Sequence, residues 1–179
     1  MILAVIPARG GSRRIPRKNI KEFHGKPIIA YSIEAAKESG LFDEIYVSTE
    51  DQEIADISQQ YGAKWLKRDQ MLAHDEVGTQ EVMKNALIDL GIEDGYACCI
   101  YPVAANISSM DLRSGYALLP GHPYSYVAGL YYWGQSLAFI TSAPLSDGFE
   151  VPFSVERYVD VNTEEDWDRM KEIYERTRC

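Results

Sequence analysis

The sequence predicts a three-layer α/β fold, a mainly parallel sheet with helices on both faces, in a single domain spanning residues 1–179. Three observations lead there. Short apolar runs alternate with amphipathic stretches from the first residue onward. The apolar runs are continuous rather than alternating, as strands buried on both faces require. Glycines and polar caps fall at the ends of the amphipathic stretches, where helices stop and start. Strands alternating with helices of this length make βαβ units, whose crossovers cover both sides of a parallel sheet.

The elements follow in order. Ile2–Pro7 reads as a buried strand, and Ile28–Ser39 as a helix with Pro27 in its first turn and Gly40 as its C-cap. Glu44–Ser48 is a second strand, and Thr49 is placed to cap a helix Glu50–Tyr61 that stops at Gly62. Ala63–Lys67 is a third strand. Thr79–Leu90 carries a helical stripe of Val82, Met83, Ala86, Leu87 and Leu90 before Gly91. Ala97–Tyr101 is a fourth buried strand and Met110–Leu119 a further helix. Tyr124–Trp133 and Phe149–Val161 read as extended around a short helix at Gln135–Ile140. The last element is Thr163–Arg176, where Thr163 and Asp166 have capping-box spacing.

Composition bounds the function. The chain has 179 residues, 46% hydrophobic and 25% charged, which suits a soluble globular domain. No run reaches the ~18 apolar residues of a membrane span, and the N-terminus lacks the basic n-region of a signal peptide. Cys98, Cys99 and Cys179 have no metal-ligand spacing, which predicts a reduced, cytoplasmic setting. A net charge of −9 argues against nucleic-acid or anionic-membrane partners. His24, His74 and His122 form no hydrolase motif with a G-x-S-x-G serine.

Against that acidic background, Arg9, Arg13, Arg14, Arg17 and Lys18 stand together with no acid between them. They lie in a Gly-rich loop directly after the first strand. In open parallel sheets ligands bind beyond the carboxyl ends of the strands, so this placement points to a compact anion. Glycines let backbone N–H groups approach phosphate oxygens, Arg supplies a planar fork and Lys a point charge. The loop is neither a Walker A sequence nor a G-x-G-x-x-G fingerprint.

The residues that carry this loop, IPARGGSRRIPRKNI over 6–20, resemble the N-terminal signature of the acylneuraminate cytidylyltransferases, with Arg13 where that family usually has Lys. The likeness continues through 25–63. LAHDEVGT (72–79) and YYWG (131–134) resemble the pseudaminic acid branch, and DVNTEEDW (160–167) resembles the family's closing motif. The resemblance implies a Rossmann-like fold of the nucleotide-diphospho-sugar transferase type and transfer of CMP from CTP to an acidic nonulosonic sugar, with release of pyrophosphate, in cell-surface polysaccharide biosynthesis. It implies that Ala8, Arg9, Gly10, Gly11 and Ser12 wrap the triphosphate, that Arg14 and Lys18 neutralise it, and that Asn19, Arg68 and Thr79 contact the nucleotide. Arg9, Lys18 and Asp160 are the implied catalytic residues. Asp160 and Asn162 are the implied ligands of Mg²⁺, and a homodimer is the implied assembly.

Four departures from the family pattern stand out. Asp69 replaces the proline that usually follows Arg68, and Asn162 replaces a second aspartate. The loop Tyr101-Pro102-Val103-Ala104-Ala105-Asn106 lacks the usual hydroxyl and second proline. After Tyr126 the chain passes almost at once into VAGLYYWG, where typical members interpose a segment that helps build the sugar pocket and the subunit contact. The alternatives are therefore a nucleotide-binding pseudoenzyme, another sugar nucleotidyltransferase on the same scaffold, or a non-catalytic module whose basic loop meets an acidic partner. The aromatic run Tyr131–Trp133 reads either as core or as a stacking surface for a sugar.

Overall fold

In the computed structural model, which describes residues 1–178, nine strands form: β1 (Ile2–Pro7), β2 (Glu22–Phe23), β3 (Lys26–Pro27), β4 (Glu44–Thr49), β5 (Lys64–Lys67), β6 (Tyr96–Ile100), β7 (Tyr124–Val127), β8 (Tyr131–Gln135) and β9 (Phe149–Glu150). Seven of them make one sheet in the order β5-β4-β1-β6-β8-β7-β9, and β2 and β3 form a separate hairpin. β5, β4, β1 and β6 run parallel, with Val5 opposite Tyr46 on one side and Cys99 on the other. β8 joins β6 antiparallel, and β9 returns parallel to β7 at the edge. The mainly parallel three-layer architecture is as the apolar runs predict.

Six α-helices are α1 (Ile29–Ser39), α2 (Gln52–Gln60), α3 (Thr79–Asp89), α4 (Ser109–Ala117), α5 (Ser136–Ile140) and α6 (Glu164–Arg178). Because strand side chains alternate, β1 feeds two cores. Ala4 and Ile6 meet Ile29, Ile33, Ile54 and Leu112 of α1, α2 and α4. Leu3 and Val5 meet Met83, Leu87 and Phe139 of α3 and α5. Among the described residues, no helix is long and apolar enough to cross a membrane.

Several local expectations are corrected. The cap of α2 is Asp51, whose Oδ1 accepts from the Ile54 N–H at 3.0 Å. Thr49 is still in β4, and its hydroxyl accepts instead from the Asp51 N–H at 3.1 Å. Pro27 belongs to the hairpin, and α1 begins two residues later with no side-chain cap. α4 starts from a capping box of Ser108 and Asp111, one residue before the expected Met110. Tyr124–Trp133 is two strands separated by a turn, closed by the Leu130 N–H on the Val127 carbonyl at 3.0 Å. Within Phe149–Val161 only β9 joins the sheet, because Pro152 has no N–H to carry the edge ladder further; Ser154 and Tyr158 are extended without pairing in it, on either side of a 3-10 turn at Val155–Arg157. Gly40 ends α1 at a φ of 64°, as its C-cap role requires. Cys98 and Cys99 are free and buried, and Cys179 lies outside the described residues.

A third apolar cluster positions the far end of the chain. Ile15 of the basic loop, Phe23 of the hairpin and Tyr31 of α1 pack with Val161, Trp167 and Met170. Phe23 and Trp167 meet edge to face at 5.6 Å between ring centroids. The Thr163–Asp166 capping box forms as its spacing predicts: Asp166 Oδ2 accepts from the Thr163 N–H at 2.8 Å and Thr163 Oγ1 accepts from the Asp166 N–H at 3.2 Å. Residues 160–162 are thereby fixed beside the basic loop.

Trp167 is 1% exposed at the centre of that cluster. Trp167→Ala is expected to cost about 3–5 kcal/mol, the range for emptying a buried aromatic site. Urea unfolding with an unchanged m-value measures it; a cost below about 1 kcal/mol would mean α6 is not anchored there.

Candidate functional site

The loop after β1 opens onto a cavity of ≈ 460 Å³ at the carboxyl ends of β1 and β6. Its cationic wall is Arg9, Arg13, Arg14, Lys18 and Arg68, and its polar floor includes Ser12, Asn19, Thr79 and Tyr101. Asp75, Asp160 and Asn162 complete the rim. Most of the residues singled out from the sequence therefore share one space, although they come from distant parts of the chain.

Ala8, Gly10 and Gly11 do not line it. The Ala8 N–H donates to the Ser48 carbonyl at 2.9 Å, and the Gly10 N–H donates to Glu50 Oε1 at 2.7 Å. These N–H groups, expected at a triphosphate, hold the loop to the end of β4. Gly10 is required for a packing reason: a Cβ there would lie 2.5 Å from Asp51 Oδ2. Asn19 is buried and its Nδ2 donates to the Arg9 carbonyl at 2.9 Å, which ties the two ends of the loop together.

The five loop cations divide their tasks. Arg17 turns away, donating to Asp51 Oδ2 and Glu53 Oε2, each at 2.5 Å, and fastens the loop to the start of α2. That guanidinium holds the Asp51 carboxyl below the usual carboxylate range. Arg9 pairs with Asp75 through Nη1 and Oδ1, and Arg13 Nε lies 3.4 Å from Asp75 Oδ2. Arg14 Nη2 donates to Asn162 Oδ1 at 2.8 Å. Lys18 Nζ donates to the Val161 carbonyl at 2.6 Å. Burial lowers the Lys18 pKa, with Asp160 opposing the shift.

Arg68 is 7% exposed and reaches the cavity from below, donating through Nη2 to the Ser48 carbonyl. Its Nε and the Oε2 of Glu50 are both buried without a partner. Burial lowers the Arg68 pKa, Glu50 opposes it, and a guanidinium stays charged regardless. Thr79 Oγ1 and the Tyr101 hydroxyl are 3.0 Å apart, and burial pushes the Tyr101 phenol up. Asp69, which interrupts the expected proline, accepts from the Met71 N–H at 2.8 Å and starts the turn that follows.

The chemistry of the donor set bears on a divalent cation. Asp160 is an exposed carboxylate on the rim. Asn162 Oδ1 accepts from Arg14 Nη2 at 2.8 Å, so a cation there would share an uncharged oxygen with a guanidinium. Among the described residues no group of three His, Cys, Asp or Glu side chains assembles to hold a metal. The set fits a cation that takes one carboxylate and completes its shell with phosphate oxygens and water, which is how Mg²⁺ is usually held. It does not fit an all-protein cage.

Two neighbours were not legible in the sequence. Asp75 lies in a polar turn with no periodicity, and only folding brings it to Arg9. Tyr101 ends a strand that reads as core. Tyr131 and Trp133 of the aromatic run are fully buried core, whereas Tyr132 leans toward Tyr101, 6.2 Å between ring centroids.

A cytidylyltransferase family model matches residues 3–112, well over half of the chain. The chain belongs to the cytidylyltransferase family. It is 45% identical over 118 residues to the pseudaminic acid cytidylyltransferase of Campylobacter jejuni subsp. jejuni serotype O:23/36, covering 64% of this chain and 51% of that protein. It is 50% identical over 91 residues to the CMP-N,N'-diacetyllegionaminic acid synthase of Legionella pneumophila, covering 50% of this chain and 37% of that protein. The chain thus spans about half the length of the curated relatives it matches. The fold is also that of a CMP:2-keto-3-deoxy-manno-octonic acid synthetase solved with CTP, at a TM-score of 0.74 and 16% identity, covering 98% of this chain and 99% of that one.

The lowered Lys18 pKa has a sign that can be checked. The free protein loses the Lys18 proton at a lower pH than the ordinary lysine value of ~10.4. The cation is present below its folded pKa and lost above it, so affinity for pyrophosphate is expected to fall on the alkaline side earlier than an ordinary lysine allows. Lys18→Arg should move that loss to higher pH. Calorimetric titrations across pH 7–10.5 measure it, and superimposable profiles for the two proteins would remove Lys18 from the site.

Proposed function

We propose that this chain transfers CMP from CTP to the anomeric hydroxyl of an acidic nonulosonic sugar of the pseudaminic or sialic acid type. The observation that carries the reading is the convergence of Arg9, Arg14, Lys18 and Arg68 on one cavity with a single free carboxylate, Asp160, at its rim. The family and the relatives' named activities support the choice of cytidine nucleotide and acceptor.

The transfer needs alignment and charge offset more than covalent help. The acceptor hydroxyl oxygen attacks the α-phosphorus, the bond to the bridging β-oxygen breaks, and pyrophosphate leaves as the hydroxyl proton is released. Arg9, Arg14 and Lys18 lie where they would neutralise the charge that builds on the leaving group. Arg68, held from beneath by the Ser48 carbonyl, and Thr79 with Tyr101 form the wall for the nucleoside. Asp160 would hold a divalent cation, Mg²⁺ in this proposal, which when bound offsets phosphate charge. The buried free thiols of Cys98 and Cys99 agree with a cytoplasmic enzyme. A second copy of the chain is the proposed partner, to be tested by sedimentation.

One observation favours a second reading. Asn162 stands in place of a carboxylate and is spent on Arg14, which would suit a nucleotide-binding protein without turnover.

Three variants decide between them. Arg9→Ala is expected to weaken CTP binding by about 1.5–3 kcal/mol, the scale of hydrogen bonds to charged groups. Asp160→Ala should abolish pyrophosphate release while leaving most of the CTP affinity. Asn162→Asp should lower the Mg²⁺ concentration for half-maximal release. The assay is pyrophosphate release with CTP, UTP, ATP or GTP and a nonulosonic acid, against Mg²⁺. Full activity in Asp160→Ala overturns the metal assignment. Intact CTP binding with no turnover in wild type or in Asn162→Asp selects the second reading.

A further inference from the structure

We infer that Asp75 is an internal stand-in for a phosphate oxygen: it holds Arg9 and Arg13 until a polyphosphate displaces it, and the segment 69–78 is released with it. The inference rests on the proposed polyphosphate site and concerns how that site is reached.

The geometry is specific to the loop. One carboxylate engages two guanidinium groups, Oδ1 with Arg9 and Oδ2 with Arg13, and both arginines line the cavity. A carboxylate on Arg cations imitates the charge and spacing of two phosphate oxygens. A polyphosphate brought against the same nitrogens would meet Asp75 as a like charge at close range. The Arg9 pairing also keeps the Asp75 carboxyl below its usual range, so it is ionised at neutral pH.

The segment that carries Asp75 is built to let go. None of the residues 69–78 is buried. Its backbone closes on itself, the Leu72 N–H on the Asp69 carbonyl at 3.0 Å and the Val77 N–H on the His74 carbonyl at 3.2 Å. Among the described residues its polar side-chain ties to the body are a 3.4 Å bond from Arg68 Nη1 to the Leu72 carbonyl and the two ion pairs of Asp75, while Leu72, Ala73 and Val77 are half-buried. Its two ends are fixed. The Arg68 N–H donates to the Thr49 carbonyl at 3.1 Å, and Thr79 begins α3 against Tyr101. An anchored segment whose middle is held by exposed ion pairs is cheap to open, since such pairs are individually weak. A triphosphate carries several charges against one carboxylate, so the exchange favours the ligand while giving weakly charged anions little hold.

The test uses the full chain and inorganic triphosphate. Hydrogen exchange of the wild type is followed with and without triphosphate, and calorimetry compares wild type, Asp75→Asn and Asp75→Glu. Triphosphate is expected to speed exchange at Leu72 and Val77 while the basic loop becomes protected. Asp75→Asn should bind triphosphate about three- to fivefold more tightly, the scale of an exposed ion pair removed from the competition, and Asp75→Glu should stay near wild type. Slower exchange in 69–78 on binding, or equal or weaker binding by Asp75→Asn, would overturn the inference and make Asp75 a positioner of Arg9. The exchange result on wild type alone decides if the variant fails to fold. Loss of triphosphate binding by every protein would instead strike the polyphosphate site itself, and this inference with it.

Discussion

The rest of the structure depends on keeping five cations close together in a protein whose net charge is −9. Like charges at loop distances repel, and near a protein surface the repulsion at 4 Å is of the order of 4 kcal/mol. The fold answers by sending acceptors to these cations from three different elements. α2 supplies Asp51 and Glu53 to Arg17, the turn before α3 supplies Asp75 to Arg9 and Arg13, and the lead-in to α6 supplies Asn162 and the Val161 carbonyl to Arg14 and Lys18. Sequence segments more than a hundred residues apart are thus drawn to one loop by electrostatics, and the aromatic cluster around Trp167 keeps the last of them there.

This division separates two roles that the loop sequence alone runs together. Arg17, with the Ala8 and Gly10 N–H groups, is structural: these groups shape the loop by bonding to β4 and α2. Arg9, Arg13, Arg14 and Lys18 are held by partners at the cavity rim, where the proposed anion would compete for them. A loop built this way is pre-shaped before any ligand arrives, and less ordering is left for binding to supply.

The sheet and helices were legible because their signals are local. A continuous apolar run bounded by Pro7 needs no partner to read as a strand, and Gly40 needs none to read as a stop. Thr49 and Asp51, two residues apart, offer the same capping chemistry, so the sequence does not distinguish them. Only the backbone geometry at the end of β4 decides between them. The cationic half of the site was legible for the same reason, being contiguous from Arg9 to Lys18. Asp75 was not, since an acid in a polar turn looks like any solvated surface residue until folding sets it against Arg9. The glycines were legible as necessary, yet their reason was not: Gly10 makes room for Asp51, a constraint that no spacing rule contains.

Asn162 shows how such a site can change its balance without losing its shape. An aspartate at this position would form a full ion pair with Arg14, and a charged oxygen beside Asp160 would favour a cation. The amide keeps the 2.8 Å hydrogen bond to Arg14, so the guanidinium stays oriented, but it withdraws one negative charge from the rim. Arg14 then meets a neutral amide at the rim, and Asp160 is left as the carboxylate beside Lys18. Under the proposed function the arrangement would give up affinity for a metal in the free protein and gain positive potential for the anion. In the proposed reaction the ligand itself would carry the oxygens that a metal needs, so the charges favour an order in which a polyphosphate would enter the cationic cavity first and a cation would be held at Asp160 afterwards.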